Sequence, residues 1–270
     1  MADYQLGVIG AGNMAEAVLR GVIRANVLPH GAIVAADPAP ERRQELTGEL
    51  GITCQAENAA AAACPRVLLA VKPQVMVKVL DDIAPHVRED ATVISIAAGV
   101  STDVIDAHLG GRGRIVRVMP NTPMLVGAGV SAIAPGPRAG DDDVRWTRAL
   151  FAASGTAAVV AEEMMDAVTA VSGSGPAYFF YLIEAMIAAG AAEGLDADVA
   201  ARLAIETCAG AARLLGETGE PPEGLRARVT SPGGTTQRAI ETLDAAGVKG
   251  KLIEAIRAAA DRSRELGGKG

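Results

Sequence analysis

Two short stretches carry residues whose types and spacing could do chemistry. In IGAGNMA, Gly10, Gly12 and Ala15 fall at the GxGxxG/A spacing. The first glycine permits a tight turn, the second lets backbone approach a pyrophosphate, and a small third residue lets a helix lie against a strand. Ala11, Asn13 and Met14 fill the same turn and helix start, where unpaired N–H groups face a phosphate. The chemistry implied is dinucleotide binding. In TSPGGTTQRAI, Ser231, Gly233, Gly234, Thr235 and Thr236 precede a helical pattern in a half of the chain otherwise rich in alanine and leucine. Free backbone N–H groups, a positive dipole end and three hydroxyls make such a start a seat for a carboxylate. On local sequence alone, an ordinary helix start capped by threonine is the better reading, and only the pairing with SGSGPAY reverses it.

Other candidates cluster at strand ends. Asp37 closes the second strand, 25 residues after Gly12, where an acidic side chain accepts from the ribose hydroxyls of NAD. Arg42 and Arg43 follow within one helical turn and could neutralise a 2′-phosphate, or simply face solvent, so NADH and NADPH both stay open. The loops AVKPQ, with Ala70, Val71, Lys72 and Pro73, and AAGVS, with Ala97, Ala98 and Gly99, leave the carboxyl ends of strands and are expected to line the nicotinamide half. The prolines of MPNTP place Asn121 in a rigid loop at another strand end. His30, His86 and His108 fall away from these ends, and no Ser/His/Asp order, Walker loop or metal-spaced cluster occurs. No metal is expected. Redox chemistry on a nicotinamide is what these residues support, because there the cofactor carries the difficult step.

The elements that must position these residues divide the chain. Six β-branched runs (LGVIG, AIVAA, RVLLAV, TVISIAA, RIVRVM and AAVV) alternate with helical patterns through residue 162, which reads as a parallel α/β sheet. From there four or five helical segments follow, broken at Gly194, TGEPPEG, SPGG and Gly247. The expectation is an α/β Rossmann-type dinucleotide-binding domain over 1–162 and an all-α domain over 163–270. A net charge of −7 without a basic stripe speaks against nucleic acid. Cys54, Cys64 and Cys208 form neither a disulfide framework nor a zinc site, which implies a reducing, cytoplasmic setting. The first residues show no basic flank, apolar core and cleavage site, so no signal peptide is read there. The apolar run Pro176–Ala192 is 17 residues with Glu184 inside it, short of the roughly 20 needed to span a bilayer. A helix apolar on all sides, buried against a second subunit, fits it better, and no membrane partner is expected.

IGAGNMA, AVKPQ, SIAAGV, MPNTP, DAVTAVSGSGPAYFF and TSPGGTT occur together and in this order, and in this the chain resembles the pyrroline-5-carboxylate reductases over nearly its whole length. SGSGPAY with SPGGTT is the specific part. The resemblance implies reduction of 1-pyrroline-5-carboxylate to L-proline with NADPH or NADH, by a Rossmann domain and a helical domain that pairs into dimers and assembles further into decamers. It also implies that the Thr236 hydroxyl reaches the imine nitrogen, that Ser174 borders the substrate and that Asn58 lies near the adenosine ribose. Many relatives carry Ser, Thr or an Asn-Arg pair where this chain has Asp37, a departure that leaves the nucleotide preference open. A 3-hydroxyacid-type dehydrogenase would want a lysine on an interdomain helix, yet none occurs from Val79 to Val248. A nucleotide sensor would have no need of the carboxylate seat.

Overall fold

The computed structural model describes residues 4–268; residues 1–3 and 269–270 lie outside them. One eight-stranded sheet organises the first half: β1 (Leu6–Ile9), β2 (Ile33–Ala36), β3 (Thr53–Gln55), β4 (Arg66–Leu69), β5 (Thr92–Ser95), β6 (Arg114–Met119), β7 (Gly129–Pro135) and β8 (Gly155–Val159), in the order 3-2-1-4-5-6-7-8. Neighbouring strands are parallel except β6 and β7, which run antiparallel. Two of these strands escape the sequence pattern. β3 is three residues long and half exposed, and β7 (GVSAIAP) mixes small residues with a proline, which blurs the β-branched signal. The antiparallel turn also corrects the expectation of an all-parallel sheet.

Six helices connect the strands: α1 (Asn13–Arg24), α2 (Pro40–Leu50), α3 (Ala59–Ala62), α4 (Pro73–Ile83), α5 (Thr102–His108) and α6 (Asp141–Ala152). The inner strands are buried along their length, as a sheet covered on both faces requires. Register sorts their side chains by the period of two: Val8, Leu68, Ile94 and Val116 lie opposite one another and pack with Val18, Leu19 and Phe151, while Ile9, Leu69 and Val93 point into the other cluster with Met76, Leu80 and Ile83. Gly7 has a steric reason. A Cβ there would lie 1.8 Å from the carbonyl oxygen of Ala61, because α3 crosses directly over β1.

The helical half follows as α7 (Met165–Val168), α8 (Gly175–Ala192), α9 (Ala197–Thr218), α10 (Pro222–Arg228), α11 (Thr235–Ala245) and α12 (Val248–Leu266). Gly194, Gly219 and Gly247 take the positive φ that ends their helices, as the sequence breaks require. Gly190 lets α8 and α9 approach until a Cβ there would be 3.1 Å from that of Ala200.

The structure divides into two compact units. One comprises Met1–Ser174 with Ala259–Gly270, the other Gly175–Ala258. The helical pattern does begin at Glu162, but Met165 packs with Ala132 and Ala134 of β7, so the first helical turns belong to the sheet's own core. The same continuity alters the membrane reading. Helical turns run from Glu162 through a π-turn at Thr169–Gly173 into α8, and this 31-residue stretch is long and apolar enough by length and composition to cross a bilayer. Little of it is buried within a single chain: Phe179, Phe180, Tyr181 and Leu182 are each more than half exposed.

Candidate functional site

The sheet order reverses between β1 and β4, and there a cleft of about 710 Å³ opens at the carboxyl ends of the strands, where open α/β sheets bind ligands. Gly10, Gly12, Asp37, Asn58, Ala70, Val71 and Lys72, all singled out by the sequence, line it. Gly10 has φ +87°, and a Cβ on it would lie 2.8 Å from both the Ala70 carbonyl oxygen and Val71 Cγ1. The turn is therefore tight against the β4 loop. Gly12 is the N-cap of α1 with no side-chain cap, and nothing lies within 4 Å of where its Cβ would be. An uncapped helix start opening into empty space suits a pyrophosphate, so the residues present fit a dinucleotide. Asn13 and Met14 supply the first amides of that start, and Ala11, fully buried, anchors it.

Asp37 braces this turn as well as facing the cleft. Its Oδ2 accepts from the Ala11 N–H and its Oδ1 from the Ala39 N–H, both at 2.9 Å. Arg42 faces neither solvent nor cleft: it donates to the Ala11 carbonyl oxygen and to Glu16, and to Glu45 at 2.7 Å. Burial pushes the Glu16 carboxyl up, but hydrogen bonds and charge from Arg42 and Arg20 outweigh it and hold the group below its ordinary value. Arg43 donates to the carbonyl oxygens of Asp37 and Pro38 at 2.9 Å, which fixes the β2–α2 loop. Asn58 donates to Asp82 at 2.9 Å.

The sequence missed one wall of the cleft. Val75, Lys78, Val79 and Asp82 line it from α4. Their spacing of three, four and seven residues is one helix face, and the amphipathic pattern after Pro73 was the signal that could have found them.

Other expected residues stand outside the cleft's lining. Asn121 is buried and its amide is committed to the framework: Oδ1 accepts from the Val130 N–H at 2.8 Å and Nδ2 donates to the Ser172 carbonyl oxygen at 3.1 Å. Ala97 and Gly99 are buried in the β5–α5 loop, with Ala98 half-buried between them. Gly173 is packed against the Met119 side chain, whereas the space around Gly175 is open, so only the second of these glycines leaves room for a ligand. Ser174 lies at the end of the π-turn, its N–H donating to the Thr169 carbonyl oxygen at 2.8 Å.

In the other unit, the N-cap of α11 is Gly234, with no side-chain cap. Thr235 and Thr236 are the first two helical residues rather than caps, which removes the capped-start reading. Gly233, at φ +73°, donates to Gln237 Oε1 at 2.6 Å, and the Gly234 N–H closes a turn onto the Ser231 carbonyl oxygen at 3.0 Å. A Cβ on Gly234 would fall 2.5 Å from Ser231 Oγ, so the glycine holds that hydroxyl close over the helix start. Uncapped amides with hydroxyls beside them can bind a carboxylate.

Among the described residues, no three His, Cys, Asp or Glu side chains converge as a metal would require. Burial pushes the Cys64 thiol up to about 11, away from nucleophilic use.

Both halves of the chain match known families. Residues 5–99 fit a family model described as NADP oxidoreductase, coenzyme F420-dependent, and residues 162–266 one described as pyrroline-5-carboxylate reductase dimerisation. The pyrroline-5-carboxylate reductase of Methanosarcina acetivorans is 41% identical, with 100% of both chains covered. That of Synechocystis sp. is 43% identical over 99% of this chain and 100% of its own. The crystal structure of Plasmodium falciparum pyrroline carboxylate reductase with NADP bound superposes with a TM-score of 0.89 at 29% identity, covering 99% of each chain. With a glycine-loop cleft in one unit, a hydroxyl-rich helix start in the other, and relatives above 40% identity from end to end, the chain belongs to the pyrroline-5-carboxylate reductase family.

Proposed function

We propose that this chain reduces 1-pyrroline-5-carboxylate to L-proline with NADPH or NADH, the last step of proline biosynthesis. The observation that carries the reading is similarity to reductases of that name along the whole chain, at 41% and 43% identity, so that it includes both the α1 turn and the α11 start.

Gly10, Ala11, Gly12, Asn13 and Met14 bind the pyrophosphate through the uncapped start of α1. Asp37 and Asn58 stand at the ribose end, Ala70 to Pro73 border the middle, and Ala97 to Gly99 border the nicotinamide. Asn121 acts through the framework it holds. When bound, the reduced nicotinamide supplies a hydride to the imine carbon, and the ring nitrogen ends with the proton. The substrate carboxylate is held by the α11 amides and the hydroxyls of Ser231 and Thr235, with Gly233 and Gly234 leaving the approach clear. The Thr236 hydroxyl hydrogen-bonds the nitrogen and sets the face of the ring presented for attack, and Ser174 borders the ring. A protonated C=N accepts hydride without a strong acid from the protein, which accounts for histidines that all lie elsewhere.

The helical unit pairs two copies, and the dimers assemble further into a decamer. A cytoplasmic setting suits the three unpaired cysteines.

Purified protein mixed with 1-pyrroline-5-carboxylate and either nucleotide, followed by loss of nicotinamide absorbance and assay of proline, tests the reading. Proline formed with oxidation of the nucleotide is expected, whereas tight nucleotide binding without turnover would sink it.

A further inference from the structure

The last turn of α12 returns to the first unit and touches the loop that follows β5. Gly99, at φ +75°, lies so close beneath it that an added Cβ would be 3.0 Å from Leu266 Cβ and 3.3 Å from the Gly267 nitrogen. The reverse approach is tighter: a Cβ on Gly267 would be 2.8 Å from the Gly99 carbonyl oxygen. Two backbones meet here through two glycines. One turn earlier, Ser263 is buried and its hydroxyl donates to Asp166 Oδ1 at 2.6 Å, an anchor on a helix that is otherwise mostly exposed. A hydrogen bond to a buried carboxylate is among the stronger ones. The same short helical stretch pins the far end of the loop, where Glu162 accepts from the Thr102 N–H at 2.8 Å and from its hydroxyl, and pairs with buried Arg117 at 3.5 Å. The segment from Ala97 to Ser101 is thus held at its end by Glu162 and at its middle by the α12 turn.

We propose that the last turn of α12, Ser263 to Gly267, is a positioning element for the nucleotide: it fixes the Ala97–Ser101 loop in the shape that receives the nicotinamide. The inference rests on the reading above that this loop borders the nicotinamide. None of these α12 residues lines the described cleft, so they act through the loop rather than on the ligand.

The position of the loop at one end of the nucleotide supplies a readout that a merely structural role would not move. Binding of NADPH, followed by its fluorescence, is compared with binding of 2′-phospho-ADP-ribose, which lacks the nicotinamide, for wild type, Gly267→Ala and Ser263→Ala. Gly267→Ala drives a methyl into the Gly99 carbonyl and Ser263→Ala removes the anchor. Each is expected to weaken NADPH by about fivefold or more while the nicotinamide-free nucleotide binds as before. Thermal melts identify a variant that does not fold, in which case the other variant decides. Variants that bind NADPH as wild type does, or lose both ligands equally, overturn the positioning role while the proposed reaction stands. Wild-type protein that binds neither NADPH nor NADH overturns the reading itself, and this inference with it; where it binds NADH alone, NADH and ADP-ribose take the places of the two phosphorylated ligands.

Discussion

Thr236 occupies the second position of α11 behind an N-cap of glycine, so its hydroxyl is not consumed by capping. Loss of one positioned hydrogen bond is worth on the order of 1 kcal/mol or somewhat more, about tenfold in rate. Thr236→Ala is therefore expected to lower kcat/KM for the imine about tenfold with an unchanged thermal midpoint, and an unchanged kcat/KM would remove the hydroxyl from the mechanism. Asp37 poses a different question, because its carboxylate both accepts from the Ala11 and Ala39 N–H groups and faces the cleft. Two unit charges 4 Å apart in water interact by about 1 kcal/mol, and a 2′-phosphate beside Asp37 meets repulsion of that order or more. Asp37→Asn is expected to raise the ratio of kcat/KM with NADPH to that with NADH about five- to tenfold. Measurement of both nucleotides with both proteins checks it, and an unmoved ratio would mean that Asp37 serves only to brace the turn.

At the scale of elements, the fold depends on joints that lie outside the lining of the cleft. Asp143, at the third position of α6, sits at the amino ends of β5 and β6 and accepts from Arg114 Nε at 2.7 Å, from the Gly140 N–H at 2.9 Å and from the Thr92 hydroxyl. Burial by itself would raise this carboxyl, but the hydrogen bonds and the Arg114 charge prevail and hold it below its ordinary value. A pKa lower in the folded than in the unfolded chain contributes stability above the unfolded value, near 3.9 for Asp, and loses it as pH falls through the folded one. Asp143→Ala leaves the buried Thr92 hydroxyl, the Gly140 amide and the Arg114 guanidinium without their partner and is expected to cost about 2–3 kcal/mol at pH 7. Urea unfolding of both proteins should show that gap narrowing below about pH 4. A gap independent of pH would assign the loss to packing rather than to the ionised carboxylate. The contact of α3 with β1 is stricter: a Cβ added at Gly7 would stand 1.8 Å from the Ala61 carbonyl oxygen, so Gly7→Ala must push backbone from backbone. Expression without a cooperative melt is the expected result, and a stable variant would show that α3 can lift away.

For the whole molecule, the decisive feature is apolar surface that one chain does not cover. Leu203 and Ile205 of α9 and Leu252 and Ile253 of α12 stand about half exposed, as do Phe179 and Phe180 of α8. Exposed apolar area on this scale marks an interface rather than a solvated face. Sedimentation velocity is expected to show a dimer or a larger assembly at micromolar concentration. Leu203→Glu places a charge within the apolar surface of α9 and should shift that assembly toward monomer with loss of activity, whereas an unchanged sedimentation profile would place the interface elsewhere. The small-residue contact of α8 with α9 at Gly190 lies within the chain and is expected to survive the substitution.

What the sequence determined by itself follows from local physics. The glycine loop at α1 and the breaks at Gly194, SPGG and Gly247 are decided by backbone freedom within a few residues, and each is legible in the chain alone. Only tertiary structure could decide what depends on residues distant in the chain. The antiparallel β7 takes its direction from pairing with β6, not from its own composition. Asn121 reads as a ligand residue or as part of a plain turn until Val130 and Ser172 claim its amide, and Arg42 as a phosphate partner or a solvated arginine until Glu16 and the Ala11 carbonyl claim its guanidinium. Glu162 and Asp166 look like ordinary acids at a helix start, and become pins only when Thr102 and Ser263, 60 and 97 residues away, are brought to them. Spacing along a chain reports what one element can do alone. The partners that use up a polar side chain's capacity are chosen by packing, and no local pattern encodes them.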